Sequence, residues 1–463
     1  MQSFKKKPKL QNSAWHVHWS NPGCGAMHMT HISLFSAAVV TTPRRPTFSW
    51  DTLPLYQHLA NPNATAANPF STTQLHWLAK FPLVIIEHAQ GQGYMYAPND
   101  SPNASKPGIY GPEPYNPVQH GGCYKYLEAA AEDAAKAIRD VNDATIVLFY
   151  QNGDAALPFY RQTQRITNTS YRAKDCVVTT TGDGTLPHYG AWKWDETNAI
   201  VQNYLTEQFL QTVTAPGSKL DGTFIDTAGA SCLHEPAQHA GLLETARMMQ
   251  ASAPNKIVAL HSMAYSDFTG IAASMEYTLS TPAGHGSKGG SGARGVGWMQ
   301  ANEANGVISL CHIGATLYDA NYNYSLATFL IGLNNQSYFA FSDTYKKVPS
   351  LFAQRWTDCS PNFTSPLAPG GVPAASNLRY PWPAFPTWCS GQGFSPDYFR
   401  PLGAPRSASG GVATGRGNGE VTRSFASGTN VSIALTGETC VIEWADGFRT
   451  VCAGGARVRE ERR

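Results

Sequence analysis

The stretch Leu220-Asp221-Gly222-Thr223-Phe224-Ile225-Asp226-Thr227 decides the fold, because a short apolar strand pattern here ends in a carboxylate followed by small residues. Two other apolar runs end in the same way. The run 271–277 has Glu276 next to its last residue, and the run 81–88 ends at Glu87 and His88. In a (β/α)₈ barrel the catalytic residues lie at the carboxyl ends of the strands. The three runs together therefore predict an active site on the rim of such a barrel.

Each acid alone also has a simpler interpretation. An Asp at the end of a strand often caps the following helix or accepts a hydrogen bond from a turn amide. For Asp226 taken alone the two interpretations are about equally good. The repetition of the pattern carries more weight than any one of its members.

Strand-like and helix-like segments alternate through the middle of the chain. Helical patterns are predicted at 126–139, 198–212 and 236–252, and consecutive apolar residues in the strands are typical of a parallel sheet covered on both faces. The eight predicted strands are 47–50, 83–87, 146–150, 223–226, 257–261, 273–277, 307–312 and 337–341. The sequence therefore predicts an α/β fold, a (β/α)₈ TIM barrel, followed by a small antiparallel β-domain.

Changes in composition divide the chain into three parts. Residues 1–45 include the basic run Lys5-Lys6-Lys7-Pro8-Lys9 and show no periodic pattern, so we interpret them as a leader or disordered tail. The barrel is predicted at 46–395, with a Pro/Gly/Ser-rich stretch after its last strand. Short strands separated by turns predict a C-terminal β-domain at 396–463.

A hairpin is predicted around Ala445-Asp446-Gly447, which would form a three-residue loop ending in glycine. Counting outward from this loop places Cys440 opposite Cys452, within range of a disulfide in an oxidising compartment. The chain has 9 cysteines, an odd number, so at least one is unpaired within the chain. The pairing of the others stays open: Cys24, Cys123, Cys176, Cys232, Cys311, Cys359 and Cys389.

Charge and composition limit the partners of this protein. The formal net charge is only +2, so the chain has no strong basic field for nucleic acid. No apolar run reaches the roughly 18 residues of a membrane span. The 11 Trp, 21 Tyr and 20 Phe residues suit a carbohydrate partner, since aromatic faces near a cleft stack on sugar rings. The oligomeric state stays open.

Two features favour secretion. The apolar segment 32–40 has the length of a signal-peptide core, although it lies far from Met1 and lacks a basic flank. A start at Met27 or Met29 would weaken that objection, and a disordered leader is the alternative. Glycosylation sequons point the same way, among them those at Asn63, Asn103, Asn168, Asn323, Asn335, Asn362 and Asn430.

Several segments together resemble the glycosyl-hydrolase-like proteins called hypothetical glycosyl hydrolase family 15, and more distantly the endo-α-1,4-polygalactosaminidase barrels. The resemblance covers roughly residues 46–440. It rests on Phe48-Ser49-Trp50-Asp51-Thr52-Leu53-Pro54, on 81–88, on 194–198 with the following helix, on 221–226 and on 421–425. It implies a glycosidase-like barrel, in which Asp226 matches the strand-four acid and Glu276 the strand-six acid, a position where related clans usually have Asp. It does not supply a substrate.

Glycoside cleavage needs two carboxyl groups, one protonated to assist the leaving oxygen and one ionised to attack the sugar or activate water. We assign Asp226 as nucleophile and Glu276 as general acid/base, with the reversed roles left open. Strand positions four and six, shared by analogy with retaining α-glycosidases, favour retention. The alternative function is a carbohydrate-binding barrel that has lost hydrolysis.

Other residues at the predicted rim are candidates for substrate binding, and Tyr150 and Trp192 are further aromatic residues that could stack on a sugar. Each has a simpler structural interpretation, since a lone strand-end His or a Trp is more often part of the packing. The sequence has no CxxC or HExxH motif, so we predict neither a metal site nor a cofactor. The candidates are Trp50, Glu87, His88, Gln151, Asn152, Trp194, His261, Tyr277, His312 and Asp343.

Overall fold

The computed structural model describes about half of the chain in fifteen segments. No helix in these segments is long and apolar enough to cross a membrane. The segments are 43–61, 64–88, 90–91, 126–153, 155–156, 160–163, 177–178, 192–226, 236–261, 270–276, 292–313, 320–341, 400–406, 420–434 and 439–452.

Eight parallel strands form the central barrel, and three very short antiparallel strands form a small sheet between its third and fourth strands. The barrel strands are β1 (Gln57–Leu59), β2 (Leu83–Ile86), β3 (Ile146–Asn152), β7 (Gly222–Asp226), β8 (Ile257–His261), β9 (Ala273–Glu276), β10 (Ile308–Ile313) and β11 (Ser337–Phe341). The small sheet consists of β4 (Ala155–Ala156), β5 (Val177–Val178) and β6 (Trp192–Trp194).

Backbone hydrogen bonds join the two ends of the barrel sheet. The amide of Tyr56 donates to the carbonyl of Phe339 at 3.0 Å, and the amide of Phe339 donates to the carbonyl of Pro54 at 2.8 Å. The segment just before β1 is therefore paired with β11. The predicted (β/α)₈ barrel is confirmed.

Helices cover the outside of the barrel in the described part of the chain. The three helices predicted from the sequence are present within two residues of their predicted ends. The helices are α1 (Thr72–Leu78), α2 (Leu127–Val141), α3 (Ala199–Val213), α4 (Pro236–Ser252), α5 (Gly292–Ala304) and α6 (Ala320–Gly332).

Apolar residues alternate between two hydrophobic clusters along each strand. Leu83 and Ile85 pack in the cluster inside the barrel, whereas Val84 and Ile86 pack in the cluster between the barrel and its helices. All four side chains are fully buried. Successive strand side chains point to opposite faces, so a strand buried on both faces favours apolar residues at consecutive positions. This requirement produces the continuous apolar runs of the sequence.

The first barrel strand is not where the sequence pattern predicts it. Residues 47–50 lie outside any strand, and the strand is Gln57–Leu59. The ring of Phe48 instead packs edge-on against Trp50 and Tyr338, with centroids 4.7 and 6.1 Å away. The prediction was wrong because β1 has only three residues, two of them polar, and three residues carry no measurable periodicity.

Asp226 is the last residue of β7, which is the fourth strand of the barrel, as the sequence predicts. The strand begins at Gly222, where φ is +154° and a Cβ atom would lie 1.8 Å from the carbonyl oxygen of Ile257. Only glycine permits this close approach of β7 to β8. Counting in the same order, Glu276 ends the sixth strand.

The C-terminal strands form a separate antiparallel sheet with the order β12–β13–β14–β15. Its strands are β12 (Glu420–Ser424), β13 (Asn430–Ala434), β14 (Cys440–Glu443) and β15 (Arg449–Cys452). Cys440 pairs in register with Cys452, and the two residues form a disulfide with a Cα–Cα distance of 4.8 Å. Gly447 has φ +84° at the end of the hairpin loop. The predicted hairpin, disulfide and β-domain fold are confirmed.

A buried arginine fastens the β-domain to the barrel. The Nη1 atom of Arg423 on β12 donates to the carbonyls of Leu330, Ile331 and Leu333, at 3.0, 2.8 and 2.6 Å. These carbonyls lie at the C-terminal end of α6, where the helix itself supplies no partners. Burial lowers the pKa of Arg423 to about 10, so the side chain stays positively charged at neutral pH. The positive charge also interacts favourably with the helix dipole.

We predict that Arg423→Ala lowers the free energy of unfolding by about 3 kcal/mol, because it leaves buried carbonyls without a hydrogen-bond donor. Urea denaturation measures the effect. Arg406→Ala is the matched control, since Arg406 lies on the neighbouring segment with an exposed side chain. Equal effects of the two substitutions would contradict the role assigned to Arg423.

Candidate functional site

Asp226 lies at the carboxyl end of its strand with only 6% of its surface exposed. The hydroxyl of Tyr150 on β3 donates to Oδ2 of Asp226 at 2.8 Å. Nδ1 of His261, the last residue of β8, lies 2.7 Å from Oδ1. That separation requires one hydrogen between the two atoms, which is on Nδ1 when the carboxylate is ionised, because two lone pairs would otherwise face each other. Donors from both neighbouring strands therefore hold the carboxylate.

A chain of hydrogen bonds leads to Asp226 from Asn152. The side-chain amide of Asn152 donates to the hydroxyl of Tyr150 at 3.1 Å, and that hydroxyl donates onward to Asp226. Donors in such a chain polarise one another, which strengthens the final bond to the carboxylate. Asn152 and Asp226 are also register partners in the sheet.

Gly153 allows the ends of β3 and β7 to approach each other. Its amide donates to the carbonyl of Asp226 at 3.0 Å. A Cβ atom at residue 153 would lie 2.9 Å from side-chain carbons of Ile225 and Leu242 and 3.0 Å from the Asp226 carbonyl oxygen. A larger residue here would press on the side chains of Ile225 and Leu242 and on the end of β7.

Glu87, which follows β2, is the second acid of the site and is 3% exposed. Its Oε1 lies 3.2 Å from Nε2 of His58 on β1, and its Oε2 contacts Nδ1 of His88. The backbone amide of His88 also donates to Oε2. The carboxylate therefore lies between two imidazoles, below the partly exposed ring of His88.

The Glu87 cluster has strongly shifted acid–base properties. Burial alone would raise the pKa of Glu87, but the charges and hydrogen bonds of His88 and His58 outweigh it and lower the pKa to about 2. Burial opposes the charged form of His88, yet the charge and hydrogen bond of Glu87 and the charge of Asp226 raise its pKa. The negative charge of Glu87 and the protonated form of His88 therefore stabilise each other.

His312 lies deeper in the barrel and is 1% exposed. Its Nδ1 is 3.3 Å from the hydroxyl of Tyr56, and its ring packs edge-on against His58 with centroids 5.2 Å apart. Burial lowers the pKa of His312 well below its usual value, and the charges of His58 and His261 lower it further, against the opposing charge of Asp226. A neutral His312 fits the floor of the site.

The structure brings several predicted site residues together. Strand ends and the segment after β2 place six of them around one mouth of the barrel. These six are Asp226, Glu87, His88, Asn152, His261 and His312.

Three other predicted residues are placed away from these contacts. Gln151 is buried, at 3% exposure, next to Asn152 on β3. Trp194 is 2% exposed and belongs to the core between barrel and helices, with its ring centroid 6.4 Å from that of Tyr204. Trp50 precedes β1 and packs on Phe48. Trp194 and Trp50 thus occupy positions of packing residues, and their predicted contact with substrate stays a prediction.

The partner acid is only partly described. The backbone of Glu276 ends β9 and pairs in register with Cys311 on β10. The side chain of Glu276, and the residues Tyr277 and Asp343, lie outside the described part. The separation of the two proposed catalytic carboxyl groups stays a prediction.

The sequence did not predict that Tyr150 contacts Asp226 or that His58 contacts Glu87. The sequence predicts Tyr150 only as a residue that stacks on sugars, but its hydroxyl binds Asp226. It gives no indication of His58, because β1 is too short and polar to be recognised as a strand. The signal for Tyr150 is its position two residues before the end of β3, where alternation places it on the inside face like Asn152.

No group of three or more His, Cys, Asp or Glu side chains is arranged to hold a metal ion among the residues that the structure describes. The histidines instead contact carboxylates and rings. Their arrangement is that of a hydrogen-bonded acid–base cluster.

Comparison with known proteins gives only distant similarities. No protein-family model and no curated protein matches the chain. The resemblance to hypothetical glycosyl hydrolase family 15 and to the polygalactosaminidase barrels is therefore not confirmed.

The solved structures similar to the chain include glycoside hydrolases. Eubacterium rectale Amy13B matches with 10% identity and a TM-score of 0.39, over 64% of this chain and 67% of its own. The GH36 α-galactosidase AgaA from Geobacillus stearothermophilus matches with 10% identity and a TM-score of 0.34, over 89% of this chain and 49% of its own. The GH20 β-N-acetylhexosaminidase from Streptomyces coelicolor A3(2) matches with 11% identity and a TM-score of 0.35, over 64% and 53%.

The chain spans about half the length of the last two proteins. At these scores the similarities carry no argument about what the chain binds or cleaves. The case for a function therefore rests on the residues of the site.

The shifted pKa of Glu87 predicts a specific loss of stability in acid. Its pKa falls from 4.5 to about 2 on folding, so its contribution is complete above pH 4.5 and is lost as the pH falls through 2. That contribution is about 3 kcal/mol. We expect Glu87→Gln to be less stable than the parent at pH 6, and the difference to shrink towards pH 2.

Urea denaturation at several pH values measures this convergence. Glu207 is an exposed acid on α3, and Glu207→Gln is the control. Its free energy of unfolding should depend on pH in the same way as that of the parent. A constant difference between parent and Glu87→Gln from pH 6 to pH 2 would contradict the ionised, histidine-bound state of Glu87.

Proposed function

We propose that the protein is a glycoside hydrolase that cleaves an O-glycosidic bond in an oligo- or polysaccharide, with Asp226 as nucleophile. The observation that carries this proposal is the Asp226 carboxylate at the carboxyl end of the fourth strand, held by Tyr150 and His261. Catalytic residues of barrel enzymes lie at this end of the strands. Two donors on one carboxylate stabilise its negative charge, and a nucleophile must be ionised to attack.

The surroundings of Asp226 suit attack on a sugar. The carboxylate is largely buried, so its charge acts in a region of low dielectric constant. The Tyr150 hydroxyl and the His261 ring fix the direction of its two oxygens. Fixing the nucleophile before the substrate arrives removes the cost of orienting it during the reaction.

Glu276 is the proposed general acid/base. Its strand runs parallel to β7, so the two acids belong to the same rim. The acid would protonate the leaving oxygen in the first step and activate water in the second. The other rim residues that we proposed from the sequence, apart from the enclosed Glu87, would bind the sugar around this pair.

We also propose that the protein is secreted. The Cys440–Cys452 disulfide persists most readily in an oxidising compartment. It stabilises the hairpin of the β-domain, which packs on the outer helix α6.

We predict that Asp226→Asn reduces kcat by at least about 10³-fold on a glycan that the parent cleaves, because the amide keeps the shape of the side chain and loses its charge. Binding of the same glycan should change little. The measurement is release of reducing ends across a panel of oligo- and polysaccharides, with calorimetry for binding.

Asp221→Asn is the matched control for this substitution, since it makes the same chemical change just before the opposite end of the same strand. Asp221 accepts a hydrogen bond from the amide of Val147 at 2.9 Å. The control should lower stability and leave kcat close to that of the parent. Cleavage by Asp226→Asn at the parent rate would eliminate the proposed nucleophile. Binding of glycans without cleavage by the parent would identify a carbohydrate-binding barrel instead.

Retention is the predicted stereochemical outcome. It requires the carboxyl groups of Asp226 and Glu276 to lie about 5–5.5 Å apart, whereas inversion requires about 6.5–9.5 Å. Proton NMR of the first product formed reports its anomeric configuration before mutarotation. A product of inverted configuration would refute the assignment of Asp226 as a covalent nucleophile, even for an active enzyme.

A further inference from the structure

The cluster of His58, Glu87 and His88 has a geometry that substrate binding alone does not explain. Glu87 is 3% exposed, and both of its oxygens contact imidazole nitrogens. A carboxylate that received sugar hydroxyls would need an oxygen turned towards the open mouth. The carboxylate instead lies below the ring of His88, whose side chain is 33% exposed.

The ring of His88 links this cluster to the proposed nucleophile. Its centroid is 4.9 Å from that of Tyr150, whose hydroxyl donates to Asp226. His88 is therefore in direct contact with Glu87 and is connected to Asp226 through Tyr150. The contact with Glu87 is made through Nδ1, which sets the rotation of the ring.

We propose that Glu87 is a positioning residue: it fixes the ring of His88 and keeps a proton on it, so that His88 presents a positive charge beside Asp226. A protonated imidazole there is a hydrogen-bond donor for an oxygen of the bound sugar. Charge-assisted bonds of this kind are stronger than neutral ones. The role of the sugar in this proposal rests on the proposed function, whereas the link between Glu87 and His88 does not.

The surroundings of His88 are consistent with a retained proton. Glu87 is in contact with it, Tyr150 packs against it from β3, and the charge of Asp226 acts on it from β7. His58 lies on the other oxygen of Glu87 and competes for the same negative charge. The charges of Glu87 and Asp226 also act on the buried hydroxyl of Tyr160. Burial and these negative charges raise the pKa of Tyr160, so it stays neutral.

The test is an NMR pH titration of the full-length protein with labelled histidine, in which His88→Gln identifies the signal of residue 88. In the parent, His88 should titrate above the usual histidine range. In Glu87→Gln the midpoint should move to lower pH, because the negative charge that favours the proton is gone. Glu87→Asp retains the charge and should give a midpoint above that of Glu87→Gln.

Glu207→Gln is the control and should leave the His88 midpoint unchanged. A parent His88 that titrates in or below the usual range would overturn the proposal without any variant, so poor folding of Glu87→Gln cannot hide a failure. An unchanged midpoint in a folded Glu87→Gln would overturn it as well.

Kinetics give a second measurement if the parent cleaves a glycan. Activity that depends on protonated His88 falls as the pH rises through the His88 pKa. This fall in kcat/KM should begin at lower pH in Glu87→Gln, and kcat/KM at neutral pH should drop about tenfold. A shifted His88 titration without glycan cleavage by the parent would support the positioning role and reject the hydrolase. A shifted titration with an unchanged pH profile would reject the role of His88 in sugar binding.

Discussion

Burial of the barrel strands on both faces is the constraint on which the rest of the structure depends. Val84 and Ile86 pack outward against the helices, whereas Leu83 and Ile85 pack inward. A charged group in the middle of such a strand would be buried without water and would cost several kcal/mol unless it were paired. In the described barrel strands the acidic residues therefore lie only at the strand ends, and parallel strands bring all their carboxyl ends to one rim.

The rim holds two acids in different environments. Glu87 is contacted by two histidines and is turned away from the opening, whereas Asp226 is held by a tyrosine and a histidine from the neighbouring strands. Environments that differ in this way allow two carboxyl groups of one site to do different tasks. This contrast makes Asp226 the better candidate for chemistry and Glu87 the better candidate for support.

The β-domain is fastened to the barrel by polar contacts as well as by apolar packing. Tyr324 and Asn323 on α6 donate to carbonyls of β13 and β15, and Arg423 on β12 donates to the end of α6. The helix α6 thus donates hydrogen bonds to the domain, and the domain donates hydrogen bonds to α6. The domain therefore has a defined position on the barrel in the described residues.

The sequence by itself determined the parts of this protein that depend on local patterns. Continuous apolar runs identified seven of the eight barrel strands, and the count placed Asp226 on the fourth. The hairpin loop ending in Gly447 placed Cys440 opposite Cys452. Only the tertiary structure showed β1 and its His58, since three residues have no period, and only it showed Tyr150 bound to Asp226 across 76 residues of chain. Such contacts depend on how strands distant in sequence are placed side by side, and no local pattern encodes that placement.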